Sequence, residues 1–309
     1  MRLDDAAALH RFKVACSELD GATRVRSQTD WQKMLADETR ATADSVVAID
    51  GDGAVAAAGW IDYDAAVHRV RAFLDGRVHP DFRGQGLGSA LLSWLEERAR
   101  AHLASIAGDR PQVLRILFYD RGADAIELFE QSGFEFQFSE QVMGRDLRAP
   151  MPEYPLPAGM SFHTWRPDNA GEFFLVYDDA FRTRPGSHLS EPAWRNHFTD
   201  EDDPEFRPRL SLLVTDGDEP IAYAVCHSDV AGDGETATEA WISQTGLRPA
   251  WRKRGIASAL LVEVMHRFVA TGHSRAMLSV NVNNPQARRL YERLGFKFER
   301  RFTMYYKTI

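Results

Sequence analysis

Cysteine and long apolar segments are what this sequence has least of. Its 309 residues include two cysteines, Cys16 and Cys226, which fall in different halves and match no zinc or redox spacing. A reducing cytosol is the simplest setting for such a chain. No stretch approaches the roughly 20 apolar residues of a membrane span, and the N-terminus shows no basic and apolar leader. We therefore expect a cytoplasmic protein without membrane contact.

Excess positive charge, metal-ligand spacing and a hydrolase signature are also missing. The formal net charge is -8, which argues against a nucleic-acid partner because binding phosphates requires clustered cations. The ten histidines show no His-x-x-x-His or Cys/His grouping, so we expect no metal site. No Gly-x-Ser-x-Gly segment is present, so serine hydrolysis has no nucleophile of that kind.

A repeated segment is the most informative feature that is present. Residues 78–92 (VHPDFRGQGLGSALL) and 247–261 (LRPAWRKRGIASALL) agree at seven of fifteen positions, at a constant offset of 169 residues. This agreement indicates an internal duplication. The length suits two domains of about 150 residues, each with its own core.

Each copy places a glycine-bearing loop between a hydrophobic strand and an amphipathic helix. The first backbone N–H groups of a helix have no partner within it, and the helix dipole adds about half a positive charge there. Such a loop predicts a site for a phosphate or diphosphate. It is not a dinucleotide fingerprint, because Ser89 stands at the third glycine position and Lys253 at the first. A Walker loop is excluded because neither copy ends in Gly-Lys-Ser/Thr.

A second block follows an apolar strand near the C-terminus. Asn284, Ala287, Leu290-Tyr291 and Gly295-Phe296 form the pattern Asn-x-x-Ala-x-x-Leu-Tyr-x-x-x-Gly-Phe, and a reduced version with Phe129 lies in the first half. Together with the Arg-x-x-Gly-x-Gly/Ala loops, this pattern resembles the GNAT N-acetyltransferases. The resemblance covers both halves, and it implies two tandem GNAT domains that use acetyl-CoA.

The resemblance implies which residues contact acetyl-CoA. In the first half they are Val78, Arg83, Gly84, Gln85, Gly86, Leu87, Gly88 and Ser89, and in the second Leu247, Arg252, Lys253, Arg254, Gly255, Ile256, Ala257, Ser258 and Asn284. The first half retains the more glycine-rich loop. The basic residues of the second loop, and Arg288-Arg289, are alternatively a solvated helix surface.

Acetyl transfer needs a neutral amine, a stabilised oxyanion and a proton for the departing thiolate. Tyr291 matches the family position that supplies the proton, and a phenol (pKa about 10) can do so for a thiol of about 8.5. Phe129, its counterpart, cannot, and Asn284 corresponds to Gly122. We therefore expect the second half to catalyse, and the first to bind acetyl-CoA structurally or not at all. Alternatively, Tyr291 is a core aromatic.

Acetyl transfer also needs a group that stabilises the oxyanion and a base for the amine. In the family a backbone N–H in the strand before the loop donates a hydrogen bond to the oxyanion, and here that N–H lies near Leu247. Glu239 lies on that strand, where the family often carries a catalytic glutamate that acts as the general base. The usual spacing from the loop, however, falls on Trp241. Gln244 or a chain of waters are alternatives to Glu239, which could also be an ordinary solvent-facing residue.

Three functions remain open at this point. The first is acetylation of a primary amine of a small molecule by direct attack in a ternary complex, by a monomer or homodimer. The second is a non-catalytic acetyl-CoA sensor or scaffold, and the third is acetylation of protein N-termini or lysines. Acidic residues that could attract an amine lie at Asp200–Asp203 and Asp178-Asp179, with His188 between them.

The predicted fold class is α/β with a mixed α+β sheet. The predicted domains are residues 1–148 and 160–309, joined by a proline-rich, semi-rigid linker at 149–159. The predicted helices begin at Asp4 and then cover 31–39, 84–102, 123–132, 169–180, 191–197 and 254–271. The predicted strands cover 46–50, 55–63, 70–78, 113–118, 160–166, 210–215, 220–228, 236–247 and 276–282, with further strands to Leu147 and a terminal strand pair through Tyr306. The first half lacks the opening strand of the family, so this half either has lost that strand or borrows coverage from elsewhere.

Overall fold

The structure is a computed structural model. It describes residues 5–20, 28–36, 43–66, 69–119, 123–183, 189–201, 203, 205–228 and 238–309. The chain divides into two compact units. Unit 1 comprises the chain up to Glu140 together with Arg300–Ile309, and unit 2 comprises Gln141–Glu299.

The described elements of the first half repeat in the second. The first half contains α1 (Ala6–Asp20), α2 (Gln28–Ala36), β1 (Ser45–Ile49), β2 (Val55–Ala66), β3 (Arg69–Val78), α3 (Leu87–Ile106), β4 (Gln112–Tyr119), α4 (Ala123–Gln131) and β5 (Glu135–Asp146). The second half contains β6 (Met160–Thr164), α5 (Ala170–Phe181), α6 (Glu191–Phe198), β7 (Leu212–Asp216), β8 (Glu219–Ser228), β9 (Glu239–Leu247), α7 (Ile256–Ala270), β10 (Arg275–Asn281), α8 (Pro285–Arg293) and β11 (Lys297–Thr308).

The strands of each unit form a mixed sheet, which confirms the predicted fold class. In unit 1 the order is β1, β2, β3, β4, the end of β11 and the start of β5. In unit 2 it is the end of β5, then β10, β9, β8, β7 and β6. The pairs β3 with β4 and β9 with β10 are parallel, whereas β1 to β3 and β6 to β9 are antiparallel meanders.

Each sheet is covered on both faces. In unit 2, α7 packs on one face, where the predicted apolar stripe (Ile256, Leu260, Leu261, Val264, Met265 and Phe268) is at most 1% exposed. Burial of each such side chain stabilises the fold by roughly 1.5–3 kcal/mol. The opposite face carries the aromatic core of α5 and α6, which includes Phe173, Tyr177 and Trp194. Unit 1 has the same arrangement, with α3 on one face and α1 and α2 on the other.

The terminal strands correct one expectation. The sequence predicts a terminal strand pair in the second half, but β11 is one strand that starts in unit 2 and ends in unit 1. Its residues 302–308 pair antiparallel with residues 113–119 of β4. β5, also a single strand, starts in unit 1 and ends in unit 2. The end of β11 lies beside β4, so it does not replace the opening strand, which in unit 2 is β6 and lies beside β7, the counterpart of β1.

Several predicted boundaries shift. α3 begins at Leu87 and α7 at Ile256, later than predicted, because the glycine before each helix has a positive φ of 81° and cannot be helical. Residues 208–210 form a 3-10 turn before β7 instead of its start. The proline-rich segment packs Met151, Tyr154 and Leu156 against the core of unit 2. The segment is therefore anchored to unit 2 by these side chains and is not an extended spacer.

Candidate functional site

In each unit the two parallel strands separate toward their carboxyl ends. β9 and β10 pair only from residues 239–242 with 275–278, although both strands continue. β3 and β4 pair only from residues 70–73 with 112–115. We use the name wedge for the strand ends that do not pair with each other. Wedge 1 comprises residues 74–78 and 116–119, and wedge 2 comprises residues 243–247 and 279–281. Each wedge exposes backbone groups at the end of the sheet where a helix begins.

Wedge 2 contains a β-bulge. Along β8, Val225 lies opposite Gln244 and Cys226 opposite Ile242, so Ser243 has no partner in the ladder. The pairing of β2 with β3 runs without interruption from Ala57 to Ala66. A bulge bends its strand and redirects the side chains that follow it. Here it lies directly after the last residue of β9 that pairs with β10.

The backbone of Leu247 points into wedge 2. Arg248 donates its N–H to the carbonyl of Ile221 on β8 at 3.0 Å. Hydrogen bonds to one neighbour alternate along an antiparallel strand. Leu247, opposite Ala222, is therefore directed away from β8, toward the side from which β10 has separated. A backbone N–H in this place can stabilise an oxyanion.

The loops before α3 and α7 share one backbone conformation. Each makes a single 3-10 turn and then places two residues in the left-handed region. These residues are Gly84 and Gly86 (φ 72° and 81°) in unit 1, and Lys253 and Gly255 (φ 63° and 81°) in unit 2. A left-handed conformation costs a lysine about 1 kcal/mol, so the second loop keeps this shape despite strain.

The second loop is cationic. Arg252, Lys253 and Arg254 are all exposed. The Arg254 guanidinium lies 4.7 Å from the centre of the Trp251 ring, and within the described chain Arg252 and Lys253 have no hydrogen-bond or ion-pair partner. The first i→i−4 hydrogen bond of the helix is from Ala259 to Gly255, so the preceding amides are free of helical partners. Free cations and free amides together suit a diphosphate.

The corresponding arginine of unit 1 has internal partners. Arg83 pairs with the Asp20 carboxylate through both terminal nitrogens at 2.9 and 3.0 Å. Its Nε donates to the carbonyl of Val78 at 3.1 Å, in wedge 1. The Cys16 thiol lies 3.7 Å from the same carbonyl, and burial and then Asp20 raise its pKa to about 11. Side chains of α1 thus occupy the mouth of wedge 1, and binding of acetyl-CoA there stays a prediction.

The second block lies on α8, which follows β10 at the open end of wedge 2. Asn284 is the N-cap of α8, and its side-chain oxygen accepts the N–H of Ala287 at 3.2 Å. Tyr291 is 6% exposed and packs edge-on against Phe296 at 6.1 Å. In unit 1 the counterpart Phe129 lies in an aromatic cluster with Phe118, Phe134 and Tyr305. Gly122 lies outside the described residues.

The structure does not bring Glu239 to the open end of wedge 2. It is the first residue of β9 and pairs with Arg275 at 3.1 Å. At about 3.3 Å per residue, it lies about 26 Å along the strand from Leu247. Arg275 also pairs with Glu299. A role of Glu239 as the general base stays a prediction that these contacts do not support.

Gln244 is fixed on the face covered by α5 and α6. Its Oε1 accepts hydrogen bonds from the Trp194 indole at 2.6 Å and from the Tyr223 hydroxyl at 2.5 Å. Neither donor was identified as a site residue from the sequence, since an aromatic at helical or strand spacing looks like core. Gly246 is required here, because a Cβ would collide with the Tyr223 ring.

The acidic residues that could attract an amine either pair with arginines or line a cavity. Asp178 and Asp179 pair with Arg182 at 3.0 and 3.6 Å, and Asp179 also lies 3.6 Å from Arg248. Asp200 and Glu201 line a cavity of about 450 Å³ with Arg195. Asp202 and His188 lie outside the described residues. In the described part of the chain, no cluster of potential metal ligands and no helix capable of crossing a membrane is found.

Two family models match this chain. The Acetyltransferase (GNAT) domain matches residues 41–136, and the Acetyltransferase (GNAT) family matches residues 173–296. Each match contains one wedge, its loop and the helix that follows. Together they cover more than two-thirds of the chain.

Named relatives and solved structures agree with these matches. A mycothiol acetyltransferase of Geodermatophilus obscurus is 27% identical over 308 residues, covering 96% of this chain and 92% of the relative. One from Thermomonospora curvata is 29% identical, covering 79% and 76%. The crystal structure of a GCN5-related N-acetyltransferase from Sphaerobacter thermophilus is 27% identical with a TM-score of 0.80, covering 100% and 94%. A tandem GNAT protein of the clavulanic acid pathway shares the fold at 15% identity, with a TM-score of 0.69, covering 100% and 97%.

Proposed function

Because this chain belongs to the GNAT acetyltransferase family, we propose that it transfers the acetyl group of acetyl-CoA to a primary amine of a small molecule. The amine attacks directly within a ternary complex at wedge 2. The observation that carries this proposal is the meeting of three features at one sheet end: separated strands, an amide directed between them, and a cationic helix start.

The residues of unit 2 fit acetyl-CoA, which supplies an activated acetyl thioester when bound. We propose that Arg252, Lys253 and Arg254 and the amides of residues 255–258 hold its diphosphate. Asn284 shapes the nearby start of α8. The backbone between β9 and β10 is free to receive the pantetheine arm, because strand pairing ends at Ile242.

Three groups of this unit have proposed chemical roles. The N–H of Leu247 stabilises the oxyanion that forms when the amine nitrogen bonds to the acetyl carbon. The carbon–sulfur bond then breaks, and the phenol of Tyr291 protonates the thiolate. The acylated nitrogen, which became cationic on attack, gives up a proton that returns through water to the Tyr291 phenolate. Gln244 is not the base, because a carboxamide has no basic nitrogen and its oxygen already accepts two hydrogen bonds.

Unit 2 is the proposed catalytic unit, and unit 1 the structural one. The homologous halves proposed from the repeat are residues 1–148 and 160–309, with the proline-rich segment between them. Arg83 is held by Asp20, and Phe129 replaces the tyrosine, so at these two matched positions the first half offers neither a free cation nor an acid. The relatives named mycothiol acetyltransferase support a small-molecule acceptor.

A thiol-release assay tests this proposal. The full chain is mixed with acetyl-CoA and each member of a panel of small amines and lysine-containing peptides, and calorimetry measures acetyl-CoA binding in parallel. We expect binding and turnover with at least one small amine. Binding without turnover would favour the sensor, turnover with peptides alone would favour protein acetylation, and no binding would contradict the proposal.

A further inference from the structure

The carboxamide of Gln244 presents unused donors beside wedge 2. Building on the proposed function, we propose that Gln244 is a specificity-determining residue. Its Nε2 donates to a neutral oxygen of the acceptor, two or three bonds from the reacting amine. The acceptor class is therefore an amine that carries a hydroxyl, ether or carbonyl oxygen close to its nitrogen.

The orientation of the carboxamide is fixed by chemistry. The indole nitrogen of Trp194 can only donate, so the Gln244 atom 2.6 Å from it must be the oxygen. Tyr223 lies 2.5 Å from the same oxygen and is fully buried. Burial raises the pKa of its phenol well above the usual value, so its hydroxyl stays protonated and donates. Two donors on one oxygen leave both N–H groups of Nε2 facing the other way.

These N–H groups have no partner among the residues that the structure describes. Trp194 and Tyr223, both completely buried, approach only the oxygen. Within the described chain Nε2 makes no hydrogen bond, and it is not one of the fully buried unpaired polar atoms. Gln244 as a whole is half-buried and lies at the rim of the aromatic core. A donor pair held in this way is preorganised for a ligand oxygen.

The position of Gln244 places those donors near the reacting atoms. It follows the bulge at Ser243 and lies two residues beyond Ile242, where pairing with β10 ends. Its side chain is on the face of α5 and α6, since it lies opposite Val225 and contacts Trp194. The other face is filled by α7. On the face of α5 and α6 Gln244 is only half-buried, so we expect a nucleophile bound for wedge 2 to approach along this face.

The donors select for oxygen and against a second cation. N–H groups repel an ammonium and attract a hydroxyl, ether or carbonyl oxygen. An acceptor that replaces this oxygen by a methylene cannot accept from these donors and covers them with an apolar group. Such a loss lowers kcat/KM about tenfold.

The test compares two amines of equal length, 2-methoxyethylamine and n-butylamine. The ratio of their kcat/KM values is measured for the wild-type chain, for Gln244→Met and for the control Gln32→Met, which changes an exposed glutamine of α2. The two amines differ in basicity, so the ratio is compared between variants. We expect Gln244→Met to lower the preference for the ether amine about tenfold and Gln32→Met to leave it unchanged.

A second variant separates specificity from folding. Trp194→Phe keeps an aromatic ring but removes the donor that orients Gln244, so the ratio should fall while the carboxamide remains. Thermal unfolding of each variant checks the fold. An equal ratio in the wild type and Gln244→Met, with both amines acetylated, overturns the proposal. Failure to acetylate any amine of the panel would instead contradict the proposed function.

Discussion

In unit 1 the loop arginine is held by the chain itself, whereas in unit 2 its counterpart is free. Arg83 pairs with Asp20 at the end of α1 and with the carbonyl of Val78. Arg252 is exposed and has no partner in the part of the chain described here. The two backbones match closely, with glycines at φ 81° before both helices. The two loops therefore share a backbone geometry but differ in whether their arginine is already paired within the protein.

The same contrast extends along the strands. At the position of Gln244, 169 residues earlier, unit 1 has Asp75, which pairs with Arg77 at 3.0 Å and lies 3.7 Å from Lys13. The bulge at Ser243 has no equivalent in the described pairing of β2 with β3. At these two positions the side chains of unit 1 are paired within the protein, whereas Arg252 and the Gln244 amide nitrogen have no partner in the described chain. This pattern is what is expected of one structural and one catalytic copy.

The largest expected effect concerns stability at the ends of α8 and α4. Arg145 is 6% exposed and donates to the carbonyls of Leu294 and Pro150, while Lys307 donates to Ser132 at 2.6 Å. Arg145→Ala should lower the free energy of unfolding by about 3 kcal/mol, because the carbonyl of the buried Leu294 and that of Pro150 both lose a charged donor. Lys307→Ala should cost about 1 kcal/mol, since Lys307 is closer to solvent.

Urea unfolding measures both losses. The exposed pair Arg148–Asp146 provides a control, since Arg148→Ala removes a surface ion pair and should change little. Equal losses for Arg145→Ala and Lys307→Ala would contradict this prediction. They would show that the donors on β5 and β11 contribute equally to the free energy of unfolding.

The next effect concerns catalysis. Tyr291→Phe should lower kcat tenfold or more with little change in acetyl-CoA affinity, because the thiolate loses its acid. The matched change Phe129→Tyr adds a hydroxyl in unit 1 and should leave the rate unchanged. Steady-state kinetics on the best amine of the panel checks both variants. An unchanged rate for Tyr291→Phe would remove this residue from the mechanism.

A smaller effect concerns binding of acetyl-CoA. Arg252→Ala should weaken it about fivefold, by removal of one charge-assisted contact to the diphosphate. Arg83→Ala should not change it, and calorimetry should find one site per chain. Two sites, or a loss of affinity in Arg83→Ala, would mean that wedge 1 also binds the coenzyme.

The smallest effect depends on pH. Burial lowers the pKa of His227 in unit 2, opposed by Asp203 at 3.7 Å. The unfolded chain therefore binds this proton more readily than the folded one, so stability is lost as the pH falls below about 6.5. The urea midpoint should decrease from pH 7.5 to 5.5, and less so in His227→Gln. The same decrease in both proteins would exclude His227 as the cause.

The sequence allowed the repeated unit to be predicted because its signals are local. The loop glycines and the amphipathic helix after each loop act within a few residues, and their spacing in the sequence predicts them. That β5 and β11 each belong to both units was not predictable from the sequence. The alternation of side chains along each strand is the same whichever unit the strand completes. The family resemblance favours Glu239 because it lies on the strand before the loop, but it does not reveal that Glu239 lies at the closed end of wedge 2.

The amino-acid order by itself determined that the chain carries two copies of one α/β unit, and that a tyrosine is present in only one of them. Short-range periodicity and backbone preference suffice for these conclusions. Only the tertiary structure decided that Asp20 neutralises Arg83 and that Trp194 and Tyr223 orient Gln244. These contacts join residues 21 to 63 positions apart, and such distances are closed by packing and not by local propensity.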